Sequence, residues 1–146
     1  MFKHLTIMGL SLLTFSSVAM AQPYTTQFSG GEITIDSIKR TSDETVLVKG
    51  KIKNTSQRSI SFDTARLTDP AGRFLVKLQD LKTKKQFDRA TVENVAVASN
   101  HYASTLADGA TAMVWARVTA PPKDVTSVTI SFGGDAIPID GVPITE

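Results

Sequence analysis

Residues 45–54 have the sequence Thr-Val-Leu-Val-Lys-Gly-Lys-Ile-Lys-Asn, which is the clearest strand pattern in the chain. Apolar and basic residues alternate along it with a period of two. The apolar members are Val46, Val48 and Ile52, and the basic members are Lys49, Lys51 and Lys53. Because successive side chains of a strand point to opposite faces, this pattern predicts a strand with one face against a core and its lysines in solvent.

On both sides of this segment, similar segments rich in Val, Ile, Thr and Phe recur between clusters of Gly, Pro, Asn and Asp. They predict strands at residues 32–40, 45–54, 59–63, 73–78, 111–119, 126–132 and 137–144. Pro138 and Pro143 lack a backbone donor, so the last segment is expected at a sheet edge. Residues 80–89 are either a loop or short helical turns, and residues 91–99 are either a strand or an irregular crossing.

About seven short strands separated by turns, with no long helix, predict an all-β protein. The expected architecture is an antiparallel sandwich of two sheets packed face to face, and a small β-barrel is the alternative. Asp69-Pro70-Ala71-Gly72 carries the residues of a type I turn and is expected to join two strands.

Residues 1–21 have the features of a secretory signal peptide. Lys3 is the positive residue, residues 5–18 are the apolar region, and Ala19-Met20-Ala21 is the cleavage site. Cleavage after Ala21 leaves residues 22–146 as a single domain, which we expect in the periplasm or secreted. A membrane anchor is the alternative, but the apolar stretch is shorter than the roughly 20 residues that span a bilayer. The chain has no cysteine, which excludes disulfides and a lipoprotein thiol.

Five short motifs carry a family resemblance. They are Lys-Gly-Lys-Ile-Lys-Asn-Thr-Ser at 49–56, Leu-Thr-Asp-Pro-Ala-Gly at 67–72, Leu-Ala-Asp-Gly at 106–109, Val-Thr-Ala-Pro at 118–121 and Val-Thr-Ile at 128–130. In this order they resemble exported bacterial immunoglobulin-like domains of unknown function, of the immunoprotective extracellular type. The resemblance covers most of residues 32–144. It implies an immunoglobulin-like sandwich that serves as a binding or structural module, with no catalytic residues to transfer.

Residues that could support catalysis or metal binding are sparse. The only conventional nucleophilic set is Ser99 or Ser104 with His101 and a carboxylate such as Asp108, and no Gly-x-Ser-x-Gly elbow accompanies it. We expect His101 to be structural or exposed. The residues after the leader contain one histidine, no cysteine and no Asp-rich calcium loop. The sequence therefore predicts no catalytic residue, cofactor or metal site.

The basic residues are the candidate binding surface. One group lies on a strand and comprises Lys49, Lys51 and Lys53, and the other lies in the mid-chain connection and comprises Lys82, Lys84, Lys85 and Arg89. Both groups suit polyanions or a negative protein face. Alternatively, the lysines protect an exposed strand edge from aggregation. Nucleic acid is not expected, because residues 49–53 contain no interleaved aromatic. Trp115, the single tryptophan, is expected in the core, and an interface anchor at Trp115 or Tyr102 is the alternative.

The sequence thus predicts an exported, non-catalytic module that binds another envelope or extracellular macromolecule, expected to be a protein, through a strand edge or end loops. Two alternatives stay open. One is a periplasmic carrier or binder of anionic ligands or polyanions that uses the basic groups. The other is a hydrolase that uses His101.

Overall fold

The computed structural model describes residues 24–146, which form strands and turns without a helix. The all-β prediction is confirmed, whereas the predicted signal peptide lies outside the described residues. Within this part of the chain, no helix is long and apolar enough to cross a membrane. The strands are β1 Tyr24–Phe28, β2 Gly31–Arg40, β3 Thr45–Asn54, β4 Ile60–Ser61, β5 Val76–Asp80, β6 Gln86–Phe87, β7 Thr91–Val92, β8 Val95–Ala96, β9 Thr105–Leu106, β10 Thr111–Thr119, β11 Ser127–Phe132 and β12 Ile139–Thr145.

One large curled sheet organises the molecule. Its strand order is β10-β3-β2-β12-β11-β5-β6, with β1 added beside β2, while β4–β9 and β7–β8 are separate antiparallel pairs. The residues after β6 turn back onto the outer side of β10, where the Thr119 N–H donates to Asp88 O at 2.9 Å and the Ala90 N–H donates to Arg117 O at 2.8 Å. The two ends of the sheet therefore meet, which is consistent with a β-sandwich or a half-barrel.

Besides β3, strand β2 pairs with two further strands because it contains an irregularity. Its register with β3 shifts between Ile35 and Ser37, and a bulge of this kind bends a strand. The part before the shift pairs with β1, and the part after it pairs with β12 at Ile38 and Lys39. The β12–β2 pair is parallel, so the sheet is mixed rather than purely antiparallel as expected.

The prediction of an edge position for residues 137–144 is wrong, because β12 lies between β11 and β2. Pro143 is opposite Ser127 of β11, and the pairing with β2 involves only Ile144 and Thr145. The proline therefore precedes the pairing with β2, where its missing donor would otherwise interrupt the ladder.

The core forms from the alternating apolar residues. Val46, Val48 and Ile52 are fully buried, as the period-two pattern predicts. The largest fully buried side chains are Phe62 and Phe74. The expectation that Trp115 lies in the core is wrong, because the alternation of β10 buries Val114, Ala116 and Val118 instead.

Turns and short strands fill the remainder. The predicted turn at Asp69 is present, with the Gly72 N–H donating to Asp69 O at 2.8 Å. The mid-chain region contains a turn after β5 and the β7–β8 hairpin, and the predicted strand at 59–63 is reduced to the two residues of β4. Strand β1, which precedes the first predicted strand, is an addition to the expected set.

Candidate binding face

The lysines of β3 project from an interior strand of the sheet. Lys49, Lys51 and Lys53 are exposed, as predicted, but β3 is paired with β2 on one side and β10 on the other. These lysines therefore do not guard a free edge, and a partner strand cannot add to β3. Any role in binding belongs to their side chains on the outer face of the sheet.

The pairing of β3 with β10 places two large apolar side chains beside these lysines. Trp115 lies opposite Lys49, and Met113 lies opposite Lys51. Directly opposed residues in an antiparallel pair have Cβ atoms about 5 Å apart. Trp115 is 39% exposed and Met113 is 63% exposed. We call the set Lys49, Lys51, Lys53, Met113 and Trp115 the basic–aromatic face.

The charges on this face are only partly compensated by β2. Lys51 Nζ lies 3.7 Å from Asp36 Oδ1, in an exposed ion pair of the weak kind. Glu32 lies opposite Lys53 and accepts a hydrogen bond from Gln27 at 3.2 Å. Lys49 lies between Ser37 and Trp115, and it forms no salt bridge with any residue in 24–146. The face is therefore basic along β3 and acidic towards β2, where Glu32 and Asp36 lie. Along β10, the apolar Met113 and Trp115 are followed on the same face by the exposed Arg117.

A buried hydrogen-bond network fixes the backbone beneath Trp115. The Trp115 N–H donates to Ser99 Oγ at 3.0 Å, and the Ser99 N–H donates to Trp115 O at 2.8 Å. Ser99 Oγ also lies 3.0 Å from His101 Nε2, and the His101 ring stacks on Phe62 with centroids 4.5 Å apart. The exposed indole is thus mounted on a rigid part of the sheet.

The same network shows where the sequence-derived catalytic candidates lie. Ser99 does meet His101, whereas Ser104 contacts it through the backbone alone, donating its N–H to His101 O at 3.0 Å. In the part of the chain that the structure describes, no carboxylate, Asp108 included, hydrogen-bonds to the imidazole. Ser99 is buried, and its hydroxyl already holds the Trp115 backbone. The arrangement serves to position β10.

Burial of His101 should make stability depend on pH. Burial lowers the pKa of His101 below its usual 6.5, because desolvation disfavours the charged ring. The unfolded chain then binds the proton more readily, so stability is complete above the unfolded pKa and falls as pH decreases towards the folded pKa. We expect the free energy of unfolding in urea to decline between about pH 7.5 and about pH 5.5, where carboxyl groups are largely ionised.

His101→Gln is the matched variant for this prediction. Glutamine retains a polar partner for Ser99 and removes the titrating ring. Its free energy of unfolding should be nearly constant over the same pH range. A decline as steep as that of the natural protein would assign the effect to other groups.

The four residues of the mid-chain basic group do not form one exposed surface. Lys82, Lys84 and Lys85 are exposed in and after the turn that follows β5, and Lys85 Nζ lies 5.6 Å from the centre of the Phe87 ring. The Arg89 side chain is instead largely buried, with Nη2 3.0 Å from Asp69 Oδ2.

The contacts of the Arg89 guanidinium show that this side chain has a structural role. Its Nη1 donates to the backbone carbonyl of Phe74 at 3.0 Å and to that of Arg73 at 3.4 Å. Together with the Asp69 ion pair, these bonds tie the segment after β6 to the Asp69 turn. The guanidinium is therefore committed within the protein, and the mid-chain candidate surface reduces to Lys82, Lys84 and Lys85.

Trp115 was expected in the core, and Met113 was not among the candidate surface residues. The sequence of β10 could have indicated their exposure, because both residues alternate with the apolar Val114 and Ala116, which face the core. Their position beside the lysines was not accessible from the local pattern, because it depends on the register with β3.

Compared with protein-family models, curated proteins and solved structures, the chain matches none. Function is therefore inferred from the chemistry of the described surface.

Proposed function

We propose that this chain is an exported, non-catalytic binding module whose basic–aromatic face docks onto an acidic protein surface in the envelope or outside the cell. The observation that carries the proposal is the exposure of Trp115 and Met113 on a rigid sheet face, directly beside the uncompensated Lys49. The signal-peptide features of residues 1–21 support export, and the turn motifs support an immunoglobulin-like identity.

The composition of the face favours a protein partner. Trp and Met are enriched at the centres of protein interfaces, and charged residues lie at their rims. Met113 and Trp115 form such an apolar centre, with the lysines of β3 on one side. The complementary surface is an apolar recess bordered by carboxylates that face Lys49 and Lys53.

The shape of the face also favours a macromolecule. The three clefts described among residues 24–146 are lined by residues other than those of this face. The indole of Trp115 has few rotatable bonds and therefore loses little conformational entropy on binding.

The test compares two triple variants as bait. The face variant is Lys49→Glu, Lys53→Glu and Trp115→Ala. The control is Lys82→Glu, Lys84→Glu and Tyr102→Ala, which also reverses two lysine charges and removes one aromatic side chain at exposed positions elsewhere. Circular dichroism and urea unfolding establish that both variants are folded.

Tagged proteins are incubated with an envelope extract at about 150 mM salt, and the retained proteins are quantified by mass spectrometry. We expect one protein to be retained equally by the natural chain and the control, and to fall at least about tenfold with the face variant, or about 1.4 kcal/mol. Equal retention by the face variant, or no retained protein, would contradict the proposal.

A further inference from the structure

A cleft of about 750 Å³ is lined by residues outside the basic–aromatic face. Its walls are the segment 58–66, the Ser29 turn and the turn at residues 134–135. Ligand sites in proteins commonly enclose about 300–1,000 Å³, so the cleft is large enough for a small molecule.

Glycines allow the surrounding turns to approach closely. A Cβ atom on Gly133 would lie 2.0 Å from Arg66 O, and one on Gly134 would lie 2.4 Å from Ala65 O. The Ser29 N–H donates to Asp135 Oδ1 at 2.9 Å, and the Ser29 hydroxyl bonds to the other carboxylate oxygen. The turns are therefore held together before any ligand binds.

Two arginines line this cleft without protein partners. Neither the Arg58 nor the Arg66 guanidinium forms a salt bridge or hydrogen bond with the residues that the structure describes. Arg66 has a φ of 58°, a left-handed conformation that is costly for a residue with a side chain. A guanidinium is a planar fork of donors that matches carboxylate and phosphate groups.

The other polar groups of the cleft suit hydroxyls. Ser59, Ser61 and Thr64 line it, and so does the carboxylate of Asp135. Hydrogen bonds from Ser29 hold the pKa of Asp135 below its usual 3.8, so this group is an acceptor at neutral pH. The Asp135 carboxylate lines the same cleft as the Arg58 and Arg66 guanidinium groups. This combination favours a ligand that carries both an anionic group and hydroxyls.

We propose that this cleft binds a small sugar-like molecule bearing a carboxylate or phosphate, with Arg58 and Arg66 binding the anionic group and Asp135 accepting from a hydroxyl. This site is independent of the basic–aromatic face and of the proposed protein partner. The carboxylate and phosphate forms share this chemistry, and separate ligands distinguish them.

The experiment is calorimetric titration of the natural protein with glucuronate, glucose 6-phosphate, glucose and inorganic phosphate. We expect glucuronate or glucose 6-phosphate to bind, and glucose and inorganic phosphate each to bind at least about tenfold more weakly, since each lacks half of the recognised chemistry. The sugar acid or sugar phosphate that binds more tightly identifies the anionic group.

Arg58→Gln and Arg66→Gln should each weaken that binding at least about tenfold, while Arg117→Gln, an exposed arginine outside the cleft, should leave it unchanged. Three results would overturn the proposal: no binding of either anionic sugar up to about 10 mM, equal affinity for inorganic phosphate, or full affinity in both cleft variants. Because Arg58 and Arg66 are exposed, these variants are expected to fold normally.

Discussion

Replacing Asn54 by leucine is expected to lower the free energy of unfolding by about 3–4 kcal/mol, because it leaves several buried polar groups without partners. Asn54 is fully buried at the end of β3. Its Nδ2 donates to Arg58 O at 2.6 Å and to Leu106 O at 2.8 Å. Its Oδ1 accepts from the Ser56 N–H at 2.9 Å and from the Ser56 hydroxyl at 2.7 Å.

Ser56→Ala is the matched control for Asn54. It removes the hydroxyl and leaves both Asn54 donor bonds in place, so we expect a loss of about 1 kcal/mol. Urea unfolding monitored by circular dichroism measures both values. If Asn54→Leu costs no more than Ser56→Ala, the side chain of Asn54 does not link β3 to the following turn and to β9 as described.

Gly72→Ala is expected to cost about 3 kcal/mol, from backbone strain and from a steric clash. Gly72 ends the Asp69 turn with a φ of 77°. A Cβ atom there would lie 2.5 Å from both the backbone N and the Cα of Tyr102. The Gly72 carbonyl also accepts from the His101 N–H at 2.7 Å, so the turn cannot move away without breaking that bond.

The Gly109→Ala variant separates the cost of backbone strain from the cost of the steric clash with Tyr102. Gly109 has a similar φ of 71°, but a Cβ atom there would meet nothing within 4 Å. Strain alone predicts a loss of about 1 kcal/mol for this variant. Thermal and urea unfolding of the two variants provide the comparison. Equal losses would mean that the Asp69 turn and the Tyr102 segment are not packed as closely as described.

Local chemistry made part of this fold predictable. The strands β2, β3, β10 and β11 follow from alternation within each segment, and the Asp69 turn follows from its own four residues. The position of β12 did not follow, because edge or interior location depends on which distant strands meet. The two prolines alone do not indicate that β12 pairs with β2 only beyond Pro143.

In the candidate site, too, some features were predictable from local sequence and others depended on long-range pairing. Exposure of Lys49, Lys51 and Lys53 was predictable from the phase of β3, whereas the approach of Trp115 required the long-range register with β10. Arg89 was grouped with nearby lysines by sequence position. Its partner Asp69 lies on an earlier turn, and only the folded chain brings the two side chains together.

The chain contains one tryptophan, so a label on Trp115 reports whether this residue lies in a protein-binding interface. Labelling with 5-fluorotryptophan gives a single fluorine NMR signal from the centre of the basic–aromatic face. We expect this signal to shift or broaden when the captured protein is added to the natural chain. It should respond in the same way in the Lys82→Glu, Lys84→Glu and Tyr102→Ala control. A signal that stays unchanged while the partner is bound would contradict the account.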